Sequence, residues 1–85
     1  MERLQAIYDE TEDWDTVVVS DFAKLQLAFD MLSKISKDIS VTPAHDQFFI
    51  GFKDESHYDK LTDEEIRTLF LNGWFVEEDA LSTFL

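Results

Sequence analysis

An 85-residue chain with no cysteine and a formal net charge of −12 must fold against its own electrostatic repulsion, with an apolar core as the only counterweight. Neither a disulfide framework nor a thiolate metal site is open to it. The counterweight is present. Of the residues 45% are hydrophobic, and eight Phe, two Trp and two Tyr supply the large side chains that a disordered acidic chain lacks. At this length folding buries roughly 60–65% of the unfolded chain's surface, enough for one modest core and a single domain over residues 1–85. Because the nineteen carboxylates outnumber the seven cations, stability is expected to respond to salt and to acid.

The same charge selects partners. Size scaling predicts a radius of gyration of about 12 Å and a diameter of about 30 Å, and about 30 Å of duplex DNA carries on the order of 18 phosphates. The two charge densities are comparable, so nucleic acids and anionic membranes repel this chain while a basic groove attracts it. No apolar run approaches the ~20 residues of a membrane span. The start Met1-Glu2-Arg3-Leu4-Gln5 is not a basic stretch followed by an apolar one, so the cytosol is the expected location.

Local patterns predict an α+β fold: a short antiparallel sheet of three or four strands, built from hairpins and packed against two main helices. In residues 2–15, Leu4 and Ile7 fit a helix, while Leu4, Ala6 and Tyr8 fit a strand almost equally well. The reading taken is a short helix followed by an exposed acidic loop. Val18, Phe22, Leu25, Phe29, Leu32, Ser36 and Ile39 recur at steps of four and three, which predicts one long helix buried along that stripe. Lys34 and Lys37 then fall in its last turns, where cations complement the dipole. The β-branched Val17-Val18-Val19 allows a short strand instead, with Ser20 or Asp21 as N-cap. Residues 39–42 and 47–53 flank Pro43-Ala44-His45-Asp46 and predict a hairpin, with Phe48, Ile50 and Phe52 on one face and Gly51 marking a bulge or a close backbone approach. Thr62 and Glu65 form a capping box, Leu61 and Ile66 a hydrophobic staple, and Asn72-Gly73 a stop, so a helix with Ile66, Leu69 and Phe70 inward is expected between them. Residues 74–76 and 81–85 suggest a final hairpin.

Catalysis has little footing. Ser40, Ser56 and Ser82 stand in no nucleophile motif, there is no glycine-rich phosphate loop, and a domain this small has little room for a cleft. Neither an enzymatic activity nor a cofactor is expected. His45 and His57 read as turn and loop residues, not as metal ligands. The acidic run that begins at Asp9 superficially resembles a calcium loop, yet it lacks the turn glycine and the distal glutamate.

What remains is the placement of the acids in three clusters. The first holds Asp9, Glu10, Glu12, Asp13 and Asp15; the second Asp54, Glu55, Asp59, Asp63, Glu64 and Glu65; the third Glu77, Glu78 and Asp79. Lys24, Lys34 and Lys37 lie elsewhere, on the long helix. Trp14 and Tyr58 sit within acidic stretches, where an aromatic can anchor an interface whose charges steer, although Trp14 can also fold back on the core. In size, charge, lack of cysteine and α+β pattern, with the compact ending from Asn72-Gly73-Trp74 to Leu85, the chain resembles in type the small acidic early proteins of phages and mobile elements. That resemblance implies an inhibitor occupying the basic nucleic-acid-binding surface of a host protein, with the carboxylates as phosphate surrogates. The competing reading is a small interaction or regulatory module recognised through apolar contacts, its acidity serving solubility. Either way a monomer or a weak homodimer is expected, since −12 on each copy opposes pairing. The phosphate-surrogate reading requires the clusters to share a surface.

Overall fold

Eight elements follow one another in the computed structural model, which describes residues 2–77 and 79–85. They are α1 (Glu2–Thr11), α2 (Asp21–Ser33), β1 (Ile39–Ala44), β2 (Gln47–Phe52), a 3₁₀ helix (Glu55–Lys60), α3 (Asp63–Leu71), β3 (Phe75–Glu77) and β4 (Ala80–Phe84). The fold is a small α+β domain with a four-stranded antiparallel sheet, in the order β1-β2-β4-β3.

Each hairpin turns where local chemistry allows it. β1 and β2 join through His45-Asp46, with His45 at φ 50, so β1 runs two residues further than the expected turn and Pro43 pairs with Phe48. Proline is tolerated there because β1 is an edge strand with no neighbour on its other side. β3 and β4 pair Phe75 with Ser82 and Glu77 with Ala80, and β4 returns beside β2 with Phe49 opposite Ser82. Alternation then sends Ile50, Phe52 and Leu81 to the helical side, and Gly51, Ala80 and Ser82 to the other.

The helices form one layer over the sheet. α1 packs chiefly on α3, α3 also touches α2, and α1 and α2 rest on β3 and β2 respectively, so α3 lies between the other two. Leu4, Ile7, Ala28, Met31, Leu32, Ile66, Leu69 and Phe70 fill the space beneath, with Tyr58, Leu61 and Trp74 supplied by the connections. α1 and α3 run in the same direction, because Arg3 reaches Asp63 at their starts and Tyr8 meets Phe70 edge-on, ring centres 5.1 Å apart, near their ends. The capping box is complete: Thr62 Oγ1 accepts the Glu65 N–H at 3.1 Å and the Glu65 carboxylate accepts the Thr62 N–H at 2.9 Å. At the far end Asn72 caps α3 and Gly73 takes φ +95, a conformation that glycine adopts without steric penalty.

The long-helix expectation is corrected. α2 begins only at Asp21, where the Ser20 side chain accepts the Ala23 N–H at 3.2 Å, and it ends at Ser33, with Lys34 as its C-cap and Lys37, Ser36 and Ile39 beyond it. Its buried face centres on Ala28, Met31 and Leu32, about a quarter-turn from the predicted stripe. Leu25 and Phe29 are only half-buried, Phe22 is 74% exposed, and Val18 lies outside the helix at 98% exposure. Ala28 on that face is fully buried, and the Trp74 indole, fifty residues away in the chain, donates its Nε1–H to the Lys24 carbonyl at 3.1 Å. Val17-Val18-Val19 forms neither helix nor strand.

The 3₁₀ helix was not legible in the sequence. Asp54 starts it by accepting from Ser56, and Tyr58 within it turns inward, where its hydroxyl accepts the Phe52 N–H at 3.1 Å. Gly51 makes this possible. A Cβ at Gly51 would collide with Tyr58 Oη, which is the close approach expected of this glycine.

Candidate interaction surface

The parallel packing of α1 and α3 decides where the first two acidic clusters go. Arg3 lies in the seam at one end: its guanidinium donates to the Leu61 carbonyl at 2.5 Å, the Tyr58 carbonyl at 3.2 Å and Asp63 Oδ1 at 2.8 Å. Arg67 lies in the seam at the other end and donates to both oxygens of Glu10 at 3.3 Å. The two arginines are therefore spent within the fold, each tying one acidic cluster to the neighbouring helix.

On either side of this seam the carboxylates face solvent. Glu2, Asp9 and Asp13 follow α1 and its end, with Asp9 accepting from the Gln5 amide at 3.0 Å, while Asp63 and Glu64 open α3. Glu2, Glu55 and Asp59 line a groove of about 470 Å³ with Arg3 and Leu4, which continues the acidic surface onto the 3₁₀ helix. Apart from Lys60, the lysines sit on α2, on the connection after it, or just after β2. Lys24 is held there, its Nζ donating to the Phe84 carbonyl at 2.7 Å.

Several expected contact residues have local work instead. Asp54 caps the 3₁₀ helix, and its carboxyl is held below the usual range first by the Ser56 hydroxyl and then by the Ser56 N–H. Glu65 completes the capping box. Tyr58, expected as an exposed anchor, is buried at 4% exposure, and that burial raises its phenol above the ordinary value. Its size and apolar ring placed it in the core, a pull that its acidic neighbours in sequence concealed. Trp14 stays 45% exposed beside Asp13 and Asp15.

The third cluster does not join the others. Glu77 accepts from the Gln47 amide on the uncovered face of the sheet, and Asp79 lines a groove of about 400 Å³ with Gly51, Phe49 and Tyr58 on that same face. Glu78 lies outside the described residues. His45 sits at the hairpin turn, and His57 Nδ1 is 3.8 Å from Asp38 Oδ2 in the 3₁₀ region.

Sequence reasoning missed the exposed apolar residues at the end of the helical layer. The segment from Trp14 to Ser20 leaves α1, crosses the C-terminal end of α3, where the Val17 N–H donates to the Leu71 carbonyl at 2.8 Å, and enters α2. Val17, Val18 and Phe22 are exposed along it. The signal that could have found them was the Ser20-Asp21 cap, which sets Val18 outside the helix.

Comparisons with protein-family profiles, curated proteins and solved structures returned no match.

Proposed function

We propose that the protein is a non-enzymatic acidic binding protein that docks its α1–α3 face on the basic nucleic-acid-binding surface of another protein, its carboxylates standing in for phosphates. One observation carries the reading: the parallel packing of α1 on α3 sets two acidic clusters, far apart in the chain, at the two ends of one seam, and the arginines of that seam are already paired with Asp63 and Glu10. An acidic surface whose arginines are paired within the fold, with every lysine but Lys60 placed elsewhere, orients the whole charge, so an approaching basic groove meets this face first. The molecule measures 30 × 27 × 22 Å, which matches the length of duplex used in the charge comparison above. Glu77 and Asp79 take no part in this face, so the interface is smaller than the sequence suggested.

The test is capture of basic proteins from a bacterial lysate on the immobilised protein at about 50 and about 300 mM NaCl, with duplex DNA as competitor. Bound proteins should be released by salt and by DNA, and the variant E2Q/D9N/D13N/E64Q should capture none of them. Retention at high salt without displacement by DNA refutes the reading and favours recognition through apolar contacts.

A further inference from the structure

The apolar residues at the end of the helical layer demand a use. Val18 is 98% exposed and Phe22 74% exposed, although a domain this small has few large apolar side chains to spare from its core. Trp14, at 45%, precedes them on the same crossing segment. Large apolar side chains left exposed together on one short stretch of a small domain mark a contact site.

Their surroundings say what would cover them. Exposed Glu12 and Asp13 precede the segment, exposed Asp15 lies within it and exposed Asp21 follows it. α1 and α3 both end here, so two negative dipole ends stand against the single positive end of α2, which opens at Asp21. The nearest cation on α2, Lys24, lies 3.8 Å from Asp21 and is tied to the Phe84 carbonyl. A second copy of the chain would bring the same carboxylates against themselves, a repulsive arrangement. A partner that presents an apolar side chain flanked by lysine or arginine meets complementary charge on both sides of its anchor.

We infer that Val18 and Phe22 form the apolar anchor of the interface, taking a segment of a partner protein in which an aliphatic or aromatic side chain is flanked by basic residues. The inference rests on the acidic-face reading, because the rim of this site is the α1 end of that face. It adds that affinity comes from the apolar pair while the carboxylates steer.

Trp14 is placed to report binding by its fluorescence, against the constant background of the buried Trp74. The probes are a peptide of alternating leucine and lysine, an oligolysine of equal charge, and a peptide of alternating leucine and glutamine. The leucine–lysine peptide should bind about tenfold or more tightly than either control, and V18S/F22S should weaken it by a similar factor with an unchanged melting temperature. Equal binding of oligolysine, or no effect of V18S/F22S, overturns the anchor. If E2Q/D9N/D13N/E64Q weakens binding while V18S/F22S does not, the anchor alone fails and the acidic face stands. Concentration-dependent dimerisation in sedimentation that V18S/F22S abolishes also overturns it, since the surface would then serve a second copy.

Discussion

Replacing Gly51 by alanine separates two effects of opposite sign, and Tyr58 decides which one prevails. Gly51 is buried in β2 without a positive φ, so alanine fits its backbone and would stabilise by about 0.4–1 kcal/mol through the unfolded chain alone. The new Cβ, however, collides with Tyr58 Oη, while its distance to Tyr58 Cζ is an ordinary 3.7 Å. Tyr58 cannot retreat freely: its hydroxyl holds the Phe52 N–H at 3.1 Å and its ring meets that of Phe52 edge-on at 5.1 Å. Overpacking of this kind costs about 1–3 kcal/mol. G51A should therefore be destabilising in the native chain, lowering the melting temperature by roughly 4–8 °C per kcal/mol at this size. Y58F alone leaves the buried Phe52 N–H without its acceptor and should cost about 1–3 kcal/mol. In the Y58F background the oxygen is gone, so G51A should become neutral or stabilising. Urea denaturation followed by Trp74 fluorescence on the wild type, both single variants and the double variant yields the coupling, expected at about 1–3 kcal/mol. An equal effect of G51A in both backgrounds, within about 0.5 kcal/mol, would refute the proposed close approach.

Two further predictions concern the same half of the molecule. T62A removes the acceptor for the Glu65 N–H and should destabilise by about 1 kcal/mol, measured by thermal melting, whereas T62S should retain most of the stability. Because burial raises the Tyr58 phenol above its unfolded value of 10.0, the folded state holds that proton more tightly. The associated stability is complete below about pH 10 and is lost as pH rises through the folded value. Denaturation midpoints should fall in that alkaline window for the wild type, and a Y58F variant with the same slope would contradict the assignment.

Much of the architecture was legible because it depends on contacts only a few residues apart. The capping box at Thr62 and Glu65, the stop at Asn72-Gly73, both hairpins and the inward set of Phe48, Ile50 and Phe52 rest on turn chemistry and period-two alternation, and these stand in the structure. The 3₁₀ helix was not legible, since a six-residue turn carries no periodicity to read.

The residues that define the surface belong to a different class. A stripe such as Val18, Phe22, Leu25 and Phe29 shows that one side of α2 is apolar, but the side that is buried carries Ala28, and the Trp74 indole that bonds α2 comes from fifty residues further along the chain. Tyr58 looked available because of its acidic neighbours and is instead drawn inward to a cradle that only Gly51 leaves open. The opening constraint, a large negative charge balanced by apolar side chains, is a property of composition alone, and so is the absence of disulfides. Where that charge concentrates was settled by the parallel packing of α1 on α3, because the Arg3–Asp63 and Arg67–Glu10 pairs join residues brought together only by the buried face each helix shares with the core.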